Sequence, residues 1–200
     1  MKSIRVAVAA LAVAVGLSAC SSPVEAGAAA VVGSERISAS ELNKNVDEFE
    51  AALEKAKIPA NQLPMPPVQY VLFQMVNISQ FSQIADKAGT KVTEGEIDQI
   101  INAQGGAATV EPKMLQQGVP PAFVRDWLRT SIAVTKLMQQ FGGGTDQAAQ
   151  QAGQQKLFDE AATVKVTYNP RYGTFDANQG TFVANNRFGK APALPAAPQQ

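Results

Sequence analysis

The chain predicts a mainly α fold, a helical body closed by a short pairing of one strand near each end. Three observations carry this. Two Ser/Thr-x-x-Glu signatures, at Ser38–Glu41 and Thr93–Glu96, each open a run of apolar residues at helical spacing. A long apolar stripe lies between the prolines at 64–67 and Gly89. The alternating run Val164-Lys165-Val166-Thr167-Tyr168 then matches the β-prone Ala30-Val31-Val32 far upstream.

In chain order, the first feature is a leader. Lys2 and Arg5 precede an uncharged stretch from Val6 to Ala19. That is shorter than the roughly 18 residues a spanning helix needs. Leu17-Ser18-Ala19-Cys20 ends it and contains the only cysteine. This segment resembles the lipobox of bacterial lipoproteins, which implies diacylglycerol on the Cys20 sulfur and cleavage before it. Residues 1–19 are then a signal peptide, residues 20–28 a lipidated tether, and the lipid bilayer a partner through acylated Cys20. The expected location is the extracytoplasmic side of a cell membrane. Ser21 is not the aspartate that retains some lipoproteins at the inner membrane, so which leaflet holds it stays open. A lone, alkylated cysteine is neither disulfide partner, nucleophile nor metal ligand.

Ile37-Ser38-Ala39-Ser40-Glu41-Leu42 reads as a helix start, with Ser38 as cap and Ile37 stapled to Leu42, after a turn at Gly33-Ser34-Glu35-Arg36. Leu42, Val46, Phe49 and Leu53 continue that helix to about Lys57, before Pro59, Pro64, Pro66 and Pro67. The next helix spans about 68–88. Its stripe is Val68, Val71, Leu72, Met75 and Val76, with a second seam of Tyr70, Phe73, Asn77, Phe81 and Ile84. So wide an apolar arc predicts a central helix. Val92 to Ile97 repeats the capping device, and Ile97, Ile100 and Ile101 form the buried face up to Gly105-Gly106. A short helix at 112–117, a main helix at 122–141 and a last helix capped by Thr145 and running to 162 complete the body. From about Gly173 the sequence is rich in Gly, Asn, Ala and Pro, and 174–200 is expected to be a disordered tail.

Composition removes several function classes. No histidine occurs in 200 residues, which excludes serine–histidine triads and histidine-ligated zinc. Without Lys2 and Arg5 the 17 basic residues become fifteen against 17 acidic ones, a net charge near −2, so nucleic acid is not an expected partner. Gly142-Gly143-Gly144 lacks the lysine and hydroxyl of a phosphate loop. No catalytic residue, cofactor or metal site is assigned, and the expected activity is binding rather than catalysis.

The order of elements resembles the N-terminal domain of SurA-type chaperones. The likeness rests on Val31-Val32-Gly33, the capped start at Ile37 to Leu42, the long apolar helix and Val92-Thr93-Glu94-Gly95-Glu96-Ile97. The ending Asn169-Pro170-Arg171-Tyr172-Gly173 is similar to that of actinobacterial lipoproteins of this group. PrsA-type foldases and the chaperone module of trigger factor are more distant likenesses. The resemblance covers residues 29–173 and implies that the first strand pairs with the last. It also implies a chaperone role for unfolded or nascent secreted proteins. SurA-type foldases carry parvulin domains of about a hundred residues before the closing helix, and their active sites use histidines. Here only Gly142 to Asp146 stands at that point, so isomerase activity is not carried over.

A holdase needs an adaptable apolar surface, and methionine repacks readily. Met75 and Met138 lie on helix stripes and read as core, as does Trp127. Met65 and Met114, in or near loops, are the candidate client contacts. The alternative is a structural or adaptor lipoprotein that docks one dedicated envelope partner through the 59–67 loop or the tail.

Overall fold

The computed structural model describes residues 26–177 and 179–183; the leader, Cys20, most of the tether and residues 184–200 lie outside the described residues. Strand β1 (Ala28–Val32) turns at Gly33-Ser34 into β2 (Glu35–Ser38), with Val32 opposite Glu35. Gly33 takes φ +56° while Ser34 stays at negative φ, the pattern of a type II′ hairpin turn with glycine first. The expected turn at 33–36 is therefore corrected: it closes in two residues, and Glu35 and Arg36 already belong to a strand. The expected pairing of the chain's ends is present as a third strand. Strand β3 (Val166–Tyr168) lies antiparallel to β1, with Ala30 opposite Tyr168 and Val32 opposite Val166, and the sheet order is β2-β1-β3. Ala28, assigned to the tether, is fully buried in β1, so the body starts earlier than 29.

Ser38 caps helix α1 (Ala39–Ala56), its Oγ accepting from the Glu41 amide at 3.1 Å. Leu42, Phe49 and Leu53 are buried at the expected spacing, and Ile37 joins the same cluster. Lys57, at φ +56°, ends the helix in the left-handed conformation. Helix α2 (Pro67–Lys87) starts with a proline at its first position, where no intrahelical donor is needed. It is central, as the wide arc predicts. One side buries Val71, Leu72, Met75 and Val76 with α1 and the sheet, while Ile84 and Ala85 join a second cluster with Ala133, Leu137 and Leu157. Glutamines tie it to the frame: Gln83 donates to the Val32 carbonyl at 2.9 Å and Gln80 to the Ala161 carbonyl at 2.9 Å.

Helix α3 (Glu94–Ala103) has the complete capping box, with Thr93 Oγ1 accepting from the Glu96 amide and Glu96 accepting from the Thr93 amide. Helix α4 (Ala107–Gln116) starts five residues before the expected 112 and carries Pro112 inside it. One lost amide donor breaks a single helical bond there, and burial of Val110, Met114 and Leu115 offsets it. Helix α5 (Val124–Gly142) buries Val124, Leu128, Ala133 and Leu137. Helix α6 (Gln147–Thr163) is capped by Asp146 and not by the expected Thr145; the Asp146 carboxylate accepts from the Ala149 amide at 2.9 Å. Aspartate also places negative charge at the positive end of the helix, which a threonine does not.

Helices α5 and α6 approach backbone to backbone, because glycine stands at both ends of the contact. A Cβ at Gly153 would lie 2.0 Å from the Met138 carbonyl oxygen, and one at Gly142 would lie 2.0 Å from that of Ala149. Arg125 and Arg129 of α5 pair with Glu94 of α3, Arg125 also with Asp98 at 2.9 Å, and Lys136 with Glu96 at 2.6 Å. These pairs lie at the surface, exposed or half-buried, so they orient α3 on α5 more than they stabilise it.

The largest correction concerns the expected tail. Strands β4 (Thr174–Asp176) and β5 (Thr181–Val183) form an antiparallel hairpin, and Phe182 is only 9% exposed. Their composition is that of a linker, but the hairpin is held by rings from elsewhere. Phe175 stacks on Phe73 with centroids 5.5 Å apart, and Tyr168 meets Phe175 at 5.2 Å and Phe182 at 5.0 Å. Gly173, at φ +107°, lets the chain turn into the hairpin, where a Cβ would sit 3.0 Å from the Val183 carbonyl oxygen. The folded body thus extends at least to Val183, ten residues beyond the expected end.

Candidate functional site

Two members of the second seam of α2, Phe73 and Asn77, face a cleft, whereas Phe81 and Ile84 of the same seam pack toward α5. Together with Val76 and Gln80, Phe73 and Asn77 form the floor of this cleft of about 1060 Å³. One wall is β3, with Val166, Thr167 and Tyr168. The other is the segment entering the hairpin, with Thr174, Phe175 and Ala177. Among the described residues none that lines it carries a formal charge. The rings of Phe73, Tyr168 and Phe175 form a continuous aromatic surface there. Burial pushes the Tyr168 phenol well above the usual tyrosine range, so it is neutral at any physiological pH.

Polar groups in the cleft divide into occupied and free. The Gln80 amide donates to the Ala161 carbonyl and, at 3.3 Å, to that of Val164, and so anchors the end of α6. The Asn77 carboxamide has no partner among the described residues and is half-buried in the cleft floor. The β3 backbone is divided by residue. The Asn169 amide donates to the Ala29 carbonyl and the Gly33 amide to the Lys165 carbonyl, both at 2.8 Å. Antiparallel ladders alternate, so residues 165, 167 and 169 bond toward β1. The amide and carbonyl of Val166 and Tyr168 therefore point away from the sheet.

The cleft runs along that open edge. It touches three consecutive β3 residues, and side chains alternate between the two faces of a strand. A cavity in contact with all three meets the strand from its edge. Chemically, the arrangement offers an uncharged aromatic floor, a free carboxamide and a short row of unpaired backbone donors and acceptors.

The residues expected to contact clients are elsewhere. Met114 is 5% exposed, inside a cluster with Ile97, Val110, Val119, Val124 and Leu128, and its assignment as a client contact is corrected. The helix around it begins earlier than the sequence implied, and one face of that helix is buried. Met65 is half-buried against the main core, away from the cleft lining. Met75 is core as expected, and Met138 and Trp127 are half-buried against their clusters. Cys20 lies outside the described residues. Phe73 and Asn77 are legible in the sequence as part of a seam of α2 and β3 as an alternating strand, but Phe175 and the open outer edge of β3 carry no sequence signal.

Among the described residues no group of acidic, cysteine or histidine side chains is placed to hold a metal ion, and no helix is long and apolar enough to cross a membrane. Comparison of the chain with protein-family models, with curated proteins and with solved structures finds no match.

Proposed function

We propose that this chain is a lipid-anchored, non-enzymatic holdase that binds unfolded segments of secreted or envelope proteins on the outer side of a membrane. The observation that carries the reading is the uncharged, aromatic-floored cleft between α2, β3 and the hairpin. Apolar side chains entering such a cleft gain about 25 cal/mol for each Å² removed from water. With no fixed charge in the lining, selection falls on apolarity rather than on one sequence, as a client-tolerant binder requires. Among the described residues of the lining, Tyr168 is the one ionisable group and stays protonated, which supports retention of a chain rather than proton transfer.

The test uses the full chain in phospholipid nanodiscs and a guanidinium-denatured client protein diluted into buffer, with light scattering as readout. The wild type is expected to suppress aggregation near stoichiometric ratios. Asn77→Lys, which places a charge in the cleft floor, is expected to abolish suppression. Phe158→Ser, at a ring 59% exposed on α6 and outside the cleft, is expected to leave it unchanged. Equal scattering with and without wild-type protein overturns the holdase reading. Capture of a single native envelope protein in its place would make the chain an adaptor.

A further inference from the structure

We infer that the cleft binds its client by strand addition: an extended, neutral peptide segment pairs antiparallel with the open edge of β3. The inference rests on the holdase reading and specifies how that site recognises a chain.

The first support is the unsatisfied edge. Val166 and Tyr168 each turn an amide and a carbonyl away from β1, and among the described residues no backbone bond from another element reaches them. β3 is the outermost strand of the order β2-β1-β3, so nothing in that sheet covers it. An open edge is the standard template for an added strand. Edges that must stay unpaired usually carry a charge, a proline or a bulge. Within β3 none is present: Val166, Thr167 and Tyr168 are β-branched or aromatic and uncharged.

The second support is what lies beside the edge. Val166 and Tyr168 pack their side chains into the main core, toward α2. In an antiparallel pair, directly opposed residues point to the same face. A client residue opposite Tyr168 or Val166 would therefore project toward Phe73, Val76 and Phe175 on the cleft floor. Its neighbours in sequence would project away from that floor. Backbone pairing and side-chain burial thus fall on the same alternate residues of the client. Asn77, with both a donor and an acceptor free, lies in the floor within the same cavity and can serve a client carbonyl or amide. Antiparallel addition continues the geometry of both existing pairings in the sheet and is the more stable of the two per residue.

The occupant is therefore an uncharged extended segment of at least three residues, apolar at every second position, with free amides at those same positions. A helical segment satisfies none of the edge groups. Proline at a pairing position is excluded because it lacks the amide.

The experiment measures binding of an N-terminally labelled, capped heptapeptide of alternating threonine and valine to the full chain in nanodiscs, by fluorescence anisotropy. A series of peptides carries one N-methyl group at successive positions. Each lost hydrogen bond is worth about 0.5–1.5 kcal/mol, so methylation at a pairing position is expected to weaken binding by roughly 3- to 10-fold. Methylation at intervening positions is expected to change affinity by less than about twofold, because those amides face away from β3. Val166→Pro removes one outward amide and keeps the β1 ladder bonds; it is expected to weaken the unmethylated peptide and blunt the response to methylation. Unchanged affinity across the methylation series, with aggregation suppression intact, overturns strand addition and leaves the holdase reading standing. Loss of suppression by wild-type protein would instead remove the reading beneath it.

Discussion

At the scale of single residues, Glu96 shows how a surface carboxylate gains a defined task. Lys136 on α5, then the Thr93 amide and hydroxyl, hold its pKa from an ordinary 4.5 down to about 2. Arg125 and Arg129 similarly lower that of Glu94. A depressed folded-state pKa means that the unfolded chain binds more protons between the two values. The contribution of Glu96 is therefore complete above about pH 4.5 and is lost as pH falls toward 2. We expect Glu96→Gln to lower the melting temperature at pH 7 and to match the wild type near pH 2. Glutamine still returns the capping bond to Thr93, so the difference reports the Lys136 pairing. Melts at a series of pH values check this, and a gap that is constant from pH 7 to 2 would refute it. The same scale shows the limits of reading types from sequence. Thr93 and Glu96 were legible because a capping box is local, and both partners lie within four residues. Met114 was misread because its environment is not local: its burial is set by α3 and α5, which close over α4. Gly153 was invisible in a Gln- and Ala-rich helix, since only the nearby backbone of Met138 makes a side chain impossible there.

At the scale of elements, the helices that carry a periodic stripe and a cap lie within a few residues of their predicted bounds and β3 falls inside the alternating run at 164–168, whereas β2, β4 and β5 carry no strand signal of their own. The two-residue turn Gly33-Ser34 is a hairpin signal, but Glu35 and Arg36 on its far side lack the apolar alternation that marks a strand. β2 exists because β1 offers it a ladder, not because its own residues favour extension. The β4–β5 hairpin is the same case more strongly. An isolated hairpin is marginal in water, and this one is stabilised by rings of α2 and β3 more than ninety positions away at Phe73 and adjacent at Tyr168. A consequence follows for truncation. A chain ending at Gly173 loses the buried Phe182 and the ring contacts of Phe175, and large-ring deletions from cores cost about 3–5 kcal/mol. We expect it to melt clearly below a chain ending at Val183, and a chain ending at Ala162, which also loses β3, to melt lowest or not to fold. Equal melting of the chains ending at 173 and 183 would mean that the hairpin contributes nothing to the body. The site is divided in the same way: its α2 floor was legible as a seam and its β3 wall as an alternating strand, whereas its hairpin wall is placed by long-range ring contacts.

At the scale of the whole molecule, the proposed anchor and the cleft belong to one argument. The segment Leu17 to Cys20 precedes β1 in the chain, and β1 is the direct neighbour of β3, whose other edge lines the cleft. From Cys20 to Ala28 the chain has eight residue steps, which reach no further than about 30 Å even when fully extended. An acylated Cys20 would therefore keep Ala28, the start of the sheet, within that distance of the bilayer. Each buried CH₂ contributes about 0.8 kcal/mol, and stable attachment takes more than one acyl chain. If Cys20 is acylated as proposed, replacing its sulfur removes both the attachment and the processing that depends on it. We expect Cys20→Ser to retain the leader and to carry no acyl mass, and the wild type to begin at Cys20 with the mass of its lipids. The variant should still suppress aggregation in solution, because no cleft residue is altered, but it should fail to retain unfolded clients at the membrane when envelope fractions are separated. Intact-protein mass spectrometry of both forms decides the first part. A wild-type N-terminus other than Cys20, free of acyl chains, would detach the cleft from the bilayer and leave its client binding to be explained as that of an unanchored protein.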